Sequence, residues 1–408
     1  MRILIVSELF PPEFIGGYEL VAHELALRLS KAGHQVAVAT SPLVNHTRDP
    51  DEPGFAIYRT LQCTWVSLHG GEDQRFKIKF VNLNNIFAIS SIVEEFKPDR
   101  LFLFSLSGLG AYGIVLFGYL VGLRPMVYLG DNIFMVSDSD TAALRDKYYD
   151  VFRAREAMAS LRILAVSENV YLETKTAIAT PIQEPVYVPG WVEDTIPPHR
   201  RSSSETMRFV FSSRVTPHKG TDILIDAVRI LVERGDRNFQ VDVYGGGLAP
   251  QFIQRVHAEG LSAYINYVGL VERDEMVRRF AEYDALVFPT WQREPLGLVP
   301  FEAAAQGCIP IVTAQTGACE WLTEGECIKI ERSGFGLAGG MQLIMHMSGD
   351  ERAAMQARAC RNVRRYFGAS RWFPRIERLI SEPSNAVRTM TPRMARDVMF
   401  TITRAWNP

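Results

Sequence analysis

The sequence has no Cys-x-x-Cys pair, no signal-length apolar run at its start, almost no net charge, and no Gly-x-Gly-x-x-Gly in the loop after its first strand. Each absence excludes something. The five cysteines are an odd and scattered set, so they give neither a disulfide framework nor a structural zinc site and fit a reducing cytoplasm. The opening run Ile3-Leu4-Ile5-Val6 stops at Ser7-Glu8, too short for a secretory leader and right for a buried strand. A formal charge of -2, from 44 basic and 46 acidic residues, argues against a dedicated nucleic-acid binder. The missing dinucleotide fingerprint disfavours a nicotinamide dehydrogenase. An apolar share of 47% and a charged share of 22% leave no room for a disordered, collagen-like or coiled-coil chain. Residues 101–123 carry no charge and are long enough to span a bilayer. Their glycines break them into a strand (101–104), a turn (105–110) and a buried helix (111–123), which is the better reading.

What is present is alternation. At 408 residues the chain has room for two large domains. Strands are expected at 3–7, 35–40, 101–104, 126–129, 163–166 and 185–188, with a helix over 18–31 whose apolar side carries Leu20, Glu24, Leu25 and Leu29 and which stops at Gly33. Residues 42–82 give no clear pattern beyond a hairpin and an irregular insertion. Two prolines, a serine run and charges mark 193–207 as a linker. A second series follows, with strands at 208–213, 239–244, 264–268, 285–288, 309–313 and 327–330, and a helix over 222–234 capped by Thr221 and stopped by Gly235. Two successive βα series predict an α/β chain of two doubly wound Rossmann-like domains, spanning 1–196 and 197–369, with C-terminal helices over 370–408. Ligands of such sheets bind beyond the carboxyl ends of the strands, so the loops after strands are where chemistry is expected.

Four such loops stand out. Phe10-Pro11-Pro12-Glu13-Phe14-Ile15-Gly16-Gly17 precedes a helix whose free amides suit an anion; an ordinary glycine turn reads equally well. Arg214-Val215-Thr216-Pro217-His218-Lys219-Gly220 sets two cations beside a helix N-terminus, as a diphosphate site or as a solvated pair. Tyr244-Gly245-Gly246-Gly247 allows close approach of a nucleotide or a flexible turn. The most specific runs from Phe288 to Gly307. It places Glu294 on a loop and Glu302 in the first turns of a helix that begins near Pro300, with seven residues between them. Two carboxylates suit the vicinal hydroxyls of a sugar and a ribose, with the amides of 296–298 facing an anion. The alternative is a dipole-complementing Glu302 beside an unrelated exposed Glu294.

In this order, and with Ala165-Val166-Ser167-Glu168 and Val188-Pro189-Gly190-Trp191-Val192 ahead of the linker, the loops resemble the family 4 retaining glycosyltransferases over nearly the whole chain. The resemblance implies a GT-B fold of two facing Rossmann-like domains with a cleft between them. It implies a hexosyl transfer from a nucleotide-diphosphate sugar, with retained anomeric configuration and neither metal nor other cofactor. Arg214 and Lys219 would bind the diphosphate, Glu294 the donor-sugar hydroxyls, and Glu302 the ribose. Gly297 and Leu298 would offer amides to sugar or phosphate. Gly16 and Gly17 would close on the phosphate, the triple glycine with Gly245 and Gly246 would pack against the nucleotide, and Gly269 and Leu270 would border the base. Asp131 would stand at the reacting sugar; the family often carries His-Asp there, whereas this sequence reads Gly130-Asp131-Asn132. Phe104 likewise stands where a histidine is common. The acceptor would be a glycan, a lipid-linked or a small molecule, with no nucleic-acid partner. A nucleotide-sugar epimerase of the same fold, a phosphorylase and a catalytically silent nucleotide-sugar-binding subunit are the competing readings.

The near-neutral charge is a cancellation. Residues 351–408 hold 12 Arg and no Lys against 4 acidic residues, a local +8. Solvated faces explain most such runs. The patch also leaves room for a domain seam or a peripheral contact at the inner membrane face of an otherwise cytoplasmic protein.

Overall fold

A computed structural model describes residues 1–44, 54–63, 80–134, 139–193, 206–382 and 389–406. They divide into two compact units, Met1–Val188 with Phe373–Pro408, and Pro189–Trp372. The linker expected at 193–207 lies, apart from its ends, outside the described residues, as do 45–53 and 64–79 of the unassigned stretch and 385–388 of the last segment.

The first unit contains β1 (Arg2–Val6), α1 (Gly17–Lys31), β2 (Gln35–Thr40), β3 (Phe55–Arg59), α2 (Leu83–Phe96), β4 (Arg100–Leu103), α3 (Ala111–Leu120), β5 (Met126–Leu129), α4 (Ser139–Phe152), α5 (Arg155–Ser160), β6 (Arg162–Ala165), α6 (Glu168–Ile178) and β7 (Val186–Tyr187). Its seven strands form one parallel sheet in the order β3-β2-β1-β4-β5-β6-β7. A parallel sheet is covered on both faces, which is why Ile3, Leu4, Ile5 and Val6 are all fully buried without alternation. The uncharged stretch resolves into β4 and α3. Every residue of α3 from Ala111 to Gly118 is buried, as an all-apolar helix in a protein core must be. Among the described residues no helix is long and apolar enough to cross a membrane.

The face of α1 differs from the expected one. Val21, Ala22, Leu25, Ala26 and Leu29 are buried, while Leu20 and Glu24 are only half-buried. Leu20 is large and apolar, but the true stripe follows the i, i+4 positions set by Val21, Leu25 and Leu29.

The second unit repeats the plan with β8 (Met207–Ser212), α7 (Thr221–Glu233), β9 (Phe239–Tyr244), α8 (Ala249–Ala258), β10 (Ile265–Gly269), α9 (Arg273–Arg279), β11 (Ala285–Phe288), α10 (Val299–Ala305), β12 (Ile309–Thr313), α11 (Ala318–Trp321), β13 (Ile328–Ile330), α12 (Gly334–His346) and α13 (Gly349–Phe367). Six parallel strands run in the order β10-β9-β8-β11-β12-β13. Its core joins Phe209 and Phe211 of β8 to Leu224, Val228 and Leu231 of α7 and Leu337 and Met341 of α12. Helix α7 begins one residue early. Gly220 at φ 88° is its cap, and Thr221 is buried as the first residue of the helix. In each sheet the strand order reverses once, between β1 and β4 and between β8 and β11. Ligands of open α/β sheets bind at that reversal.

The division between the units falls inside α14 (Ala369–Ser381), which is followed by α15 (Pro392–Trp406). The end of the chain is tied to the first unit. Arg162 pairs with Glu382 at 2.7 Å, Arg100 Nε donates to the Ile380 carbonyl at 2.8 Å, His34 meets Glu377 at 3.1 Å, and Thr389 Oγ1 donates to the Leu120 carbonyl at 2.6 Å. Several arginines of the basic segment are spent on packing. Arg364 Nε donates to the Ala305 carbonyl at 2.9 Å, and Arg396 lies 5.0 Å from the Phe87 ring.

Candidate functional site

In the second unit, the loops at the reversal point carry the candidate residues. Beyond β8 the chain runs past Arg214, which is exposed and has no side-chain partner among the described residues, into the short 3-10 turn Pro217–Lys219. This loop is fastened to the triple glycine. Val215 N donates to the Gly246 carbonyl at 2.7 Å, and Gly245 N donates to the Gly269 carbonyl at 2.9 Å, aligning the ends of β8, β9 and β10. Only glycine fits at 245, where φ is 138° and a Cβ would stand 1.9 Å from the Ser213 carbonyl oxygen. Leu270, next to Gly269, is 80% exposed.

Lys219 and Glu294 meet directly. Lys219 Nζ lies 2.5 Å from Glu294 Oε2, with both side chains nearly buried. The same oxygen also accepts from Thr290 Oγ1 at 2.8 Å and from the indole N–H of Trp291 at 3.2 Å. Oε1 has no hydrogen-bond partner among the described residues. The resemblance gives Lys219 to a diphosphate, whereas here it holds Glu294. An ammonium has three protons, so one bond to Glu294 leaves two to give. The Glu294 loop is itself anchored, since Gly317 N donates to the Glu294 carbonyl at 3.0 Å and Trp291 N to the His218 carbonyl at 3.1 Å. The His218 ring packs on Trp291 with centroids 4.1 Å apart. Partial burial and the neighbouring Lys219 ammonium push the His218 imidazole below its ordinary range, so it is neutral at pH 7.

Glu302 is buried in α10, where Pro300 stands in the first turn and Leu298 is the capping residue. Both Arg273 Nε (2.8 Å) and Nη2 (2.6 Å) grip its Oε1, leaving Oε2 with no hydrogen-bond partner among the described residues. Gly297 turns the chain into this helix at φ 76°, and its missing Cβ makes room for the Phe288 ring. Among the described residues Glu294 and Glu302 share no hydrogen bond or common side-chain partner. Each is a separate carboxylate with one oxygen fixed and one open. Arg273 has no sequence signal, because the fold brings it to Glu302 from 29 residues away, whereas Thr290 and Trp291 lie four and three residues before Glu294 in the same loop.

The other predicted residues lie in the first unit. Gly16 and Gly17 are exposed at the start of α1. Two amides just ahead of the helix are taken from within the chain. Gly16 N and Ile15 N donate to Glu19 Oε2 at 3.0 and 3.4 Å, so Glu19 closes the helix start from inside. Asp131 is exposed and accepts from Asn132 N at 2.7 Å. Glu8 is buried at the β1–β4 reversal, accepting from Ser105 Oγ at 2.7 Å and from the Gly108 amide. It was legible only as the charge that ends the first apolar run. The spacing Gly-x-Gly-x-x-Gly does occur, at Gly108, Gly110 and Gly113 where α3 begins and not after the first strand. Its glycines serve internal packing. Gly108 feeds Glu8, a side chain at 110 would strike the Asn82 backbone nitrogen at 2.7 Å, and one at 113 would crowd Val81 at 3.2 Å.

Gly130 has a local cause. A Cβ there would stand 2.8 Å from the Tyr18 ring, whose hydroxyl donates to the Tyr128 carbonyl. Burial pushes the Tyr18 phenol well above its ordinary range, so it remains a donor. Tyr18 therefore fills the space that a side chain at 130 would need. Gly130→Ala is expected to cost about 1–3 kcal/mol in urea unfolding, because it overpacks against that ring. The cost should persist in a Tyr18→Phe background and largely vanish with Tyr18→Ala; equal costs in all three would remove the explanation.

Residues 192–361 match the family model described as Glycosyl transferases group 1. The glycogen synthase of Mycobacterium tuberculosis is 24% identical over 398 residues, covering 88% of each chain. Among solved structures, a glycosyltransferase from Rickettsia africae superposes with a TM-score of 0.73 at 17% identity, covering 93% of this chain and 98% of that one. HepE of Anabaena, solved with UDP and glucose, gives 0.68 at 15% identity over 94% and 100%. The structural likeness shows the two-domain, Rossmann-like GT-B fold, and the family match and the relative covered over 88% of its length support a glycosyltransferase. Among the described residues no group of three or more His, Cys, Asp or Glu is placed to hold a metal ion.

Proposed function

We propose that the chain is a retaining, metal-independent glycosyltransferase of the family 4 type, moving a hexosyl unit from a nucleotide-diphosphate sugar to a glycan, lipid-linked or small-molecule acceptor. The observation that carries this reading is the pair of half-occupied carboxylates. Glu294 and Glu302 each have one oxygen held by cationic or polar donors and one open. Open carboxylate oxygens accept from hydroxyls, so Glu294 takes those of the sugar and Glu302 those of the ribose. The base borders Gly269 and Leu270, and Gly245 and Gly246 pack along the nucleotide.

The chemistry follows from charge. As the bond between the anomeric carbon and the diphosphate oxygen breaks, negative charge grows on the departing nucleoside diphosphate. Arg214 and the two remaining protons of Lys219, with the amides at Gly297 and Leu298, meet that charge. A single preorganised donor of this kind is worth about 2.7–4 kcal/mol. The acceptor oxygen bonds to the anomeric carbon from the face that the diphosphate leaves, and its proton passes to a leaving phosphate oxygen. No protein nucleophile enters this balance. Gly16, Gly17 and Asp131 of the first unit are assigned to the phosphate and the sugar on the resemblance alone. The basic C-terminal segment is proposed to touch an anionic membrane surface of a cytoplasmic protein.

Proton NMR of the transferred sugar, with and without EDTA, tests the reaction type. Retained configuration at an unchanged rate is expected; inversion, or loss of turnover in EDTA, would refute it. Tyr18 standing in the space at Gly130 favours one second reading, a subunit that binds nucleotide sugar without turning it over. Tight binding with no transfer or hydrolysis would establish that alternative.

A further inference from the structure

Arg332 stands in the turn between β13 and α12, and none of the roles assigned above falls to it. Its guanidinium reaches two other loops at once. Nε donates to the Thr290 carbonyl at 3.1 Å, and Nη2 donates to the Pro217 carbonyl at 3.0 Å and lies 3.5 Å from the His218 carbonyl. These are not arbitrary acceptors. Thr290 is the residue whose hydroxyl donates to Glu294 Oε2, and Pro217 opens the turn that ends in Lys219. One rigid planar cation therefore joins the backbones of the two loops whose side chains meet in the Lys219–Glu294 pair. The position of Thr290 is fixed a second time by Thr313 Oγ1, which donates to the same carbonyl at 2.9 Å. The 217–219 turn gains its side-chain tie to Thr290 through Arg332. A lysine could not reproduce this, because an ammonium has no flat fork to span two carbonyls on different loops.

We propose that Arg332 is a positioning residue that sets the spacing between Lys219 and Glu294, and through it the affinity for the diphosphate part of the donor. The proposal rests on the donor-site reading above. Its consequence is selective. Loosening the 217–219 turn moves the cation that meets the diphosphate, but leaves Glu302 and Arg273, at the ribose, untouched.

The test is calorimetric titration of the full chain and of Arg332→Ala and Arg332→Lys with UDP, GDP, UMP and GMP. Whichever diphosphate the parent binds should weaken about tenfold or more in both variants, as expected for losing charge-assisted bonds. The matching monophosphate should change less than about twofold by the same reasoning. Arg332→Lys keeps the charge and is the milder change, so it carries the test if Arg332→Ala does not fold. Unchanged diphosphate affinity in the folded variants overturns the proposal while leaving the donor site intact. Equal losses for diphosphate and monophosphate also overturn it, by reducing Arg332 to a general structural support. A parent that binds none of the four removes the donor-site reading itself, and the proposal with it.

Discussion

Lys219→Ala is expected to lower turnover of the nucleotide-sugar donor by about 100- to 1,000-fold, the usual cost of removing one preorganised donor to developing charge. Two effects combine. The departing diphosphate loses a cation, and Glu294 loses the strongest of the three donors on Oε2, keeping only Thr290 and Trp291. The carboxylate then swings more freely, and the sugar hydroxyls meet a less defined acceptor. Because both partners are nearly buried, the variant should also lose about 1–3 kcal/mol of stability, the cost of leaving a buried charged group short of partners. Arg214→Ala is the instructive contrast. Arg214 is exposed, so its removal should leave stability within about 0.5 kcal/mol of the parent while turnover still falls. Steady-state kinetics with urea unfolding of both variants checks the pair. Parent-like turnover in Lys219→Ala would mean that this lysine is only a structural partner of Glu294.

Gly220→Ala should give a large stability loss, about 2–5 kcal/mol. Gly220 sits at φ 88°, where a Cβ costs about 1–2 kcal/mol. That Cβ would also stand 2.1 Å from the Pro289 carbonyl oxygen, so the backbone before Thr290 must move, adding about 1–3 kcal/mol. Gly235 separates the two contributions. It has φ 95° and nothing within 4 Å of its missing Cβ, so Gly235→Ala should show only the conformational cost. Urea unfolding of the two variants measures the difference. Equal losses would show that the contact between the Gly220 and Pro289 loops is not tight.

These two glycines also show what was legible from the sequence. The ends of β2, β5, β9, β11 and β12 match the expected ones, because short apolar runs bounded by glycine, proline or charge leave the chain few alternatives. Gly33 and Gly235 were read as helix stops and both have positive φ, since nothing but glycine enters that region cheaply. Capping preference points to Thr221, whereas the cap is Gly220. Capping preference is a statistical rule, while the approach of Pro289 is a tertiary fact. The same limit explains the site. The Glu294 and Glu302 spacing could be read locally, because α10 begins between them. Arg273 lies 29 residues from its carboxylate, and Arg332 lies 42 from Thr290. No periodicity or turn rule connects such pairs, because Arg273 follows β10 and Arg332 follows β13 while their partners follow β11. Glu8 is harder still, since a charge after an apolar strand ordinarily marks the way out to solvent, and here it marks a buried carboxylate bonded to the loop after β4.

The central claim is that the second unit holds a nucleotide-diphosphate sugar through Lys219, Glu294 and Glu302. Thermal unfolding of the full chain with a panel of UDP-, GDP- and ADP-hexoses tests it most directly. At 1,000 times its dissociation constant, a true donor should add about 4.1 kcal/mol to the parent. The gain should be largely lost in Glu294→Ala and Glu302→Ala. A panel in which no nucleotide sugar stabilises the parent at millimolar concentration, or in which the two variants respond as the parent does, would contradict it.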